Sequence, residues 1–316
     1  MTRVTRLAPS PTGSLHLGNA RTFLATWAMA RHGGWRVILR IDDIDTPRVK
    51  PGTIQGAMDD LRWLGIDWDG EPTIQTHRAT DHAAAIAELI ANQKVYPCIC
   101  TRKEIELAAS APHAEDGGLV YPGTCRDRFA SIALATAAAG RAPALRLPVP
   151  DQVFKFVDEC AGERQFDLAS EIGDFVIAKP DLSPAYQLAC VVGDSAAGVT
   201  DVIRADDLLA SVPRQVLIYD ALGLADCVPR YTHVPLVVGE DGKRLAKRHG
   251  DSRIATYREI GVPPGRVRAL LSRWLGIDCG DTITADEVKG RFDLRRVPRE
   301  PIIFTAGDEA WLRSVN

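Results

Sequence analysis

The sequence predicts an α/β fold, a Rossmann-like doubly wound parallel sheet. Three observations carry this expectation. A strand–helix–strand unit opens the chain, a Pro/Gly-rich turn joins its first strand to its helix, and strand-like and helical stretches return after residue 180.

Residues 3–7, Arg-Val-Thr-Arg-Leu, read as the first strand. It must end at Ala8-Pro9-Ser10-Pro11-Thr12-Gly13-Ser14, because proline donates nothing to a ladder and glycine relaxes the backbone. From about Asn19 to Arg31, Phe23, Leu24, Trp27 and Ala28 recur at helical spacing, and His32-Gly33-Gly34 stops the helix. Trp35 to Ile41 reads as a second strand, parallel to the first because a helix-length crossover joins them. Further helices are expected at 52–64, with Ile54, Met58, Leu61 and Leu64 on one face, and near 79–93. Periodicity is lost over 97–130, and 140–158 is β-rich. Gln187–Val192 and Val199–Arg204 read as strands and 211–222 as a helix. Tyr231–Val238 reads as a strong apolar strand ahead of a Glu240-Asp241-Gly242 turn. Residues 252–275 are expected to be helical, and the remainder shows no long element. The expected organisation is a catalytic-type α/β domain in two halves, 1–95 and 181–251. An insertion at 96–180 separates them, and a helical C-terminal appendix spans 252–316.

A chain of 316 residues accommodates about two domains or one large one. Its 46% hydrophobic and 25% charged residues are ordinary for a globular protein and exclude disordered, collagen-like and coiled-coil classes. Lys and Arg number 38 and Asp and Glu 41, a net charge of −3, so no overall field attracts nucleic acid. RNA binding would require a local basic patch. No apolar run approaches the ~20 residues of a membrane helix, and Met1–Arg6 holds no signal-peptide stretch, so a cytoplasmic protein is expected. Seven cysteines, odd in number and unevenly spread, make a poor disulfide framework. In a reducing compartment the close ones read as metal ligands or buried thiols.

Four stretches have chemical potential. Arg6–Asn19 lies at the carboxyl end of the first strand and the start of a helix, where open α/β sheets bind ligands and backbone N–H groups favour anions. His16 could bond a phosphate there and Gly18 admit a nucleotide; the bland alternative is a loop with an incidental histidine. In Lys243-Arg244-Leu245-Ala246-Lys247-Arg248, four cations in six residues suit charge developing on phosphate oxygens, or form only a solvated charge run. Arg40-Ile41-Asp42-Asp43-Ile44-Asp45 gathers three carboxylates that could grip an ammonium or magnesium, or merely form an acidic turn. Cys98-x-Cys100 with Tyr121-x-x-x-Cys125 offers three thiolates, whereas zinc prefers four ligands. His113 is the one histidine between them, and the fourth ligand stays open, as does the reading as buried thiols.

Together these stretches carry a resemblance. Arg6–Asn19 resembles the His-x-Gly-His signature of class I aminoacyl-tRNA synthetases, with an Ala-Pro-Ser-Pro-Thr-Gly lead-in similar to the glutamyl branch. Arg244-Leu-Ala-Lys-Arg248 resembles the Lys-Met-Ser-Lys-Ser signature, and Arg40–Asp45 resembles Arg-Ile-Glu-Asp-Thr-Asp. With only 65 residues after Asp251, the chain resembles the glutamyl-Q tRNA(Asp) synthetase family, truncated paralogues without the large anticodon-binding domain. The resemblance implies ATP-dependent activation of L-glutamate, with magnesium, and its transfer to the queuosine base in the anticodon of tRNA(Asp).

By position it implies Arg6, Leu7, Ala8, Pro9, Ser10, Asp42, Tyr186 and Arg204 in the glutamate site, Arg6 on the side-chain carboxylate and Asp42 on the ammonium. It implies His16, Gly18, Asn19, Arg244 and Lys247 around ATP, with His16 and Lys247 catalytic. It also implies one structural zinc on Cys98, Cys100, Tyr121 and Cys125, and a monomer. The chain departs from the family at Asn19 in place of the second histidine, at Ala246 in place of the serine, and at Asp42, one methylene shorter than glutamate. The competing expectations are a glutamyl-tRNA synthetase core that charges an acceptor end, a nucleotidyltransferase, and a non-catalytic zinc-containing RNA-binding module.

Overall fold

The computed structural model describes residues 2–108, 120–245 and 252–314. Strand β1 (Val4–Leu7) runs into the Pro/Gly turn, and α1 (Leu17–His32) follows. The helix starts where the His16 ring accepts the Asn19 N–H, and it ends at Gly33, whose N–H bonds the Met29 carbonyl. β2 (Arg36–Ile41) pairs parallel with β1, Thr5 opposite Val37 and Leu7 opposite Leu39. After α2 (Thr53–Trp63), the short β3 (Thr73–Ile74) pairs parallel with the end of β2, and α3 (Ala79–Ala91) follows.

The middle of the chain is antiparallel. β4 (Tyr96–Cys98), β5 (Ala144–Leu147) and β8 (Phe175–Ala178) form one sheet. β6 (Val153–Asp158) and β7 (Gly162–Asp167) form a hairpin, and α4 (Arg102–Ala108) and α5 (Ile132–Ala139) complete the region. The parallel pattern resumes with α6 (Tyr186–Ala196), β9 (Asp201–Ala205), α7 (Ser211–Ala221) and β10 (Arg230–Val234), β9 and β10 pairing in register. Thr200, just ahead of β9, donates its N–H to the Val4 carbonyl and accepts the Val4 N–H on Oγ1. β1 therefore lies between β2 and β9, and its carboxyl end is the point where strand order reverses, the ligand crevice of doubly wound sheets.

Several stretches differ from the expectation. Gln187–Val192 is helical, within α6: Leu188, Ala189, Cys190, Val191 and Val192 are all buried, and a helix apolar on nearly every side reads like a buried strand. The run Tyr231–Val238 is broken at Pro235 into β10 and β11 (Val237–Val238). Residues 252–275 form two helices, α8 (Ile254–Glu259) and α9 (Pro264–Arg273), parted at Gly261-Val262-Pro263. Beyond them lie α10 (Ala285–Arg291), β12 (Ile302–Ile303), which pairs with β11, and α11 (Ala306–Arg313). Capping boxes start both late helices, Thr284 with Glu287 and Thr305 with Asp308.

The main core joins the two ends of the chain. Leu7, Leu24, Trp27 and Leu39 of the first β-α-β unit share one buried cluster with Leu270, Leu271 and Trp274 of the C-terminal segment. Arg21 on α1 is fully buried; its Nη2 donates to the Trp274 carbonyl at 3.0 Å and its Nη1 to that of Pro235. Those bonds satisfy a charge whose burial lowers its pKa to about 10. No helix among the described residues is long and apolar enough to cross a membrane.

Candidate active site

A cavity of about 830 Å³ opens at the carboxyl ends of β1, β2 and β9. Of the residues expected there, Arg6, Ala8, Pro9, Ser10, His16, Asn19, Asp42, Tyr186, Arg204 and Arg244 line it. Leu7 does not: its side chain is fully buried in the main core, because successive strand residues point to opposite faces. Gly18 does not line it either. A Cβ there would sit 3.1 Å from the His16 Cε1 and Nδ1, so the missing side chain makes room for the imidazole. Lys247 and Ala246 lie outside the described residues. The flanking chain is pinned beside the turn: Leu17 N–H bonds the Ser252 carbonyl at 2.9 Å, and Ile254 N–H bonds the Leu15 carbonyl at 2.8 Å.

Beneath the cavity floor lies a compact charge cluster. Arg40 Nε donates to Asp42 Oδ1 at 2.7 Å and its Nη2 to Oδ2 at 3.2 Å, a fork-to-fork pair. The Arg40 Nη1 meets Asp194 on α6, and Arg6 Nε reaches the same Asp194 oxygen at 3.3 Å. Burial alone pushes the Asp194 carboxyl up, but Arg40 and Arg6 outweigh it and hold it below the usual range. Asp194 therefore stays an anion that fixes two guanidinium groups. Sequence reasoning missed it, since α6 carries no motif around it. Arg40 stood inside a quoted motif without a role.

Arg204, on β9, is held from behind. Its Nε donates to His233 Nε2 at 2.8 Å, its Nη1 to Gln215 Oε1 at 2.9 Å and its Nη2 to the Leu208 carbonyl at 3.2 Å. Burial, with Arg204 nearby, keeps His233 below its usual pKa. Arginine is only a donor, so Nε2 accepts and the proton sits on Nδ1, donated to Asp158 Oδ2 at 2.6 Å. This chain of contacts leaves Arg204 two N–H groups to spare beside the cavity.

The cavity rim carries Arg6, Arg48, Lys179, Arg204 and Arg244 against Asp42, Asp45 and Asp207. Arg244 is tied to Asp207 at 2.6 Å. Burial and the charge of Arg244 lower His16 to about 4, so its ring is neutral near pH 7. The excess of guanidinium and ammonium groups suits an anionic ligand, a carboxylate or polyphosphate, while Asp42 offers a carboxylate to an ammonium.

A separate cluster joins Cys98, at the end of β4, to Cys100 and Cys125, all ligand atoms within 4.8 Å of one another. The Tyr121 Oη is 3.4 Å from both Cys98 Sγ and Cys100 Sγ, and Cys100 and Cys125 Sγ are 3.5 Å apart. Ligands at 2.0–2.3 Å from a tetrahedral ion stand roughly 3.3–3.8 Å apart, so the four atoms fit one small cation. Burial pushes the Cys100 thiol up to about 11; burial also acts on Cys125, but hydrogen bonds from its neighbours outweigh it and hold that thiol below its usual value, so Cys100 is the thiol that a cation would have to deprotonate.

A parallel sheet with a His-x-Gly turn at its switch point, over a cavity rich in guanidinium groups, defines a class I synthetase catalytic fold. A family described as "tRNA synthetases class I (E and Q), catalytic domain" matches residues 3–307, and the chain belongs to it. A curated relative named glutamyl-Q tRNA(Asp) synthetase, from Symbiobacterium thermophilum, is 44% identical over 311 residues, 95% of each chain. The chain sits in the branch of that relative. A glutamate–tRNA ligase 2 from Thermoanaerobacter pseudethanolicus is 37% identical over 97% of this chain, which spans 64% of that ligase. A crystallised glutamate tRNA ligase from Elizabethkingia meningosepticum, in complex with its amino acid, superposes with a TM-score of 0.83. Its identity is 27%, over 99% of this chain and 69% of that one.

Proposed function

We propose that this chain activates L-glutamate with ATP and transfers it to the queuosine base in the anticodon of tRNA(Asp), as a cytoplasmic monomer. The observation that carries the reading is the cavity itself: two buried, independently braced arginines, Arg6 and Arg204, face one space with Asp42 and His16. Arg6 binds the side-chain carboxylate of glutamate, with Tyr186 and Arg204 closing the pocket. Asp42, held by Arg40, receives the α-ammonium. The backbone and hydroxyl of Ala8, Pro9 and Ser10 line the same pocket.

The α-carboxylate of glutamate attacks the α-phosphate of ATP, forming a mixed anhydride and releasing pyrophosphate. His16, Asn19, Arg244 and Lys247 hold the phosphates, and Lys247 stabilises the charge that develops. Magnesium, when bound with ATP, neutralises phosphate charge. A queuosine hydroxyl then attacks the glutamyl carbonyl, loses its proton and expels AMP, leaving an ester. Positioning and electrostatics supply most of the rate, since no side chain need form a covalent bond. Zinc on Cys98, Cys100, Tyr121 and Cys125 would tie the 120–125 loop to β4 as a structural crosslink.

The test is transfer of radiolabelled glutamate to tRNA(Asp) with and without queuosine. Label on the queuosine form alone is expected. Alkali-labile label on queuosine-free tRNA(Glu) would replace this reading with acceptor-end charging. Absence of glutamate-dependent pyrophosphate exchange under every condition would end both.

A further inference from the structure

A second cavity, of about 560 Å³, lies at the opposite end of α1, between the start of β1 and the segment after α10. Arg3, His32, Arg291, Arg295 and Arg296 line it, with Asp293 as its one carboxylate. The stretch 289–299 holds Lys289, Arg291, Arg295, Arg296 and Arg299 against Asp293 alone, in a chain whose net charge is −3. This is the local basic patch that overall composition says RNA binding needs.

We propose that this cavity seats the phosphate backbone of the RNA substrate, on a stem away from the reacting nucleoside. The inference rests on the tRNA reading above for the identity of the RNA. Three observations favour phosphates. The cations are arginines, whose planar fork matches phosphate oxygens. Arg295 and Arg291 are exposed and held by surface contacts, Arg295 by Asp293 at 2.9 Å and Arg291 by Glu287 at 3.3 Å and the Asp278 carbonyl at 3.4 Å; Arg296 has no ion pair among the described residues. Such surface pairs are worth little and give way readily to a polyanion. The Arg3 guanidinium covers the Trp35 ring at 3.5 Å, and both Trp35 and Phe292, the aromatic residues of the lining, are buried, so the cavity offers little aromatic surface for stacking a base. The cavity therefore suits backbone contact, which positions a nucleic acid without reading its sequence.

Distance supports a stem contact. α1 begins beside His16 in the first cavity and ends at His32 in the second, and its 16 residues span about 24 Å. That separation puts the second cavity well away from the first, where an extended RNA stem and not the reacting nucleoside would meet it. One rigid helix thus fixes the separation between the chemistry and the backbone contact.

The experiment measures binding of fluorescently labelled tRNA(Asp) by anisotropy across a salt series. It compares the wild type with Arg291→Ala/Arg295→Ala/Arg296→Ala and with the corresponding triple lysine variant. Thermal midpoints check that both variants fold. The alanine variant is expected to bind roughly tenfold or more weakly at low salt, with a log–log salt slope shallower by about 2–3, and lysine is expected to restore most of both. Unchanged affinity and slope in the folded alanine variant overturn the proposal. So does loss of binding to anionic phospholipid vesicles with RNA binding intact, which would assign the cavity to a lipid surface. Glutamate-dependent pyrophosphate exchange by the wild type, measured with and without tRNA, separates the two readings: its absence in both, with patch-dependent RNA binding retained, sinks the proposed activity and upholds this inference.

Discussion

Replacing Asp194 with asparagine tests whether the buried charge cluster positions the glutamate pocket. The substitution keeps the shape and removes one charge. Asp194 is the shared partner of Arg6 and Arg40, and all three side chains are at least nine-tenths buried. Arg40 keeps Asp42, but Arg6 loses its one carboxylate partner among the described residues, and the cluster gains a net positive charge in a nearly dry environment. Breaking a buried pair of this kind costs about 3–5 kcal/mol. Urea denaturation should show that loss in the ligand-free protein. Arg6 and Arg40, once unfastened, should also displace the groups expected to hold the two charged ends of glutamate. The KM for glutamate in pyrophosphate exchange should rise about tenfold or more, corresponding to ~1.4 kcal/mol, with a much smaller change in KM for ATP. The pH dependence carries a sign. The folded pKa of Asp194 lies below its ordinary 3.8, so its contribution is complete above that value and is lost as pH falls through the folded pKa. The stability gap between wild type and variant should be flat from pH 5 to 8 and close in acid. A variant within ~1 kcal/mol of wild type and an unchanged glutamate KM would refute the positioning argument.

Three further outcomes are expected. His16 titrates at about 4 instead of 6.5, so the unfolded chain binds its proton first and stability should rise with pH between those values; an NMR titration of the ring placing its midpoint near 6.5 would contradict the burial argument. Purified protein should hold one metal ion per chain, and Cys100→Ser should release it and lower the thermal midpoint, as read by metal analysis and calorimetry. Gly193→Ala puts a Cβ 2.8 Å from Gln75 Nε2 and 3.0 Å from Arg40 Nη1, so despite better helix propensity it should cost about 1–3 kcal/mol and raise the glutamate KM.

The first half of the sheet was legible because its signals are local: short strand runs such as Val37-Ile38-Leu39, a Pro/Gly break and a helix stop at Gly33. α6 was misread because its periodicity vanishes when nearly every side is buried. The C-terminal appendix is expected to be helical, but its late helices are too short for periodicity to place; Thr284-x-x-Glu287 is the capping signal that marks where one of them starts. At the site, the turn is expected to line a ligand crevice from its place after the first strand, and the resemblance alone assigns its residues their roles. Asp194 and His233 could not be read in advance, because each acts on an arginine across more than 25 residues of sequence, and such pairing exists only after folding. The Tyr121 hydroxyl likewise gains its place among the three sulfurs from tertiary packing, with the ring stacked under Arg146 at 3.8 Å.

The same logic explains why the site needs so large a scaffold. A guanidinium aimed at a ligand binds best when it is already immobile and partly dry, since neither ordering nor reorganisation then opposes the reaction. Holding it so costs desolvation, and each braced arginine here is matched by a buried partner: Asp194 for Arg6, the His233–Asp158 pair for Arg204. Buried ion pairs return little net stability. Apolar packing must therefore supply the surplus, and it comes largely from the cluster in which Leu270, Leu271 and Trp274 pack against α1 and the parallel strands. The C-terminal helices thus stabilise the element whose first residues frame the His16 turn. Core substitutions there, such as Leu271→Ala, should lower stability by about 2–5 kcal/mol and leave the glutamate KM of the remaining folded protein near wild type. A change in KM as large as that of Asp194→Asn would mean that the C-terminal packing also sets the geometry of the pocket.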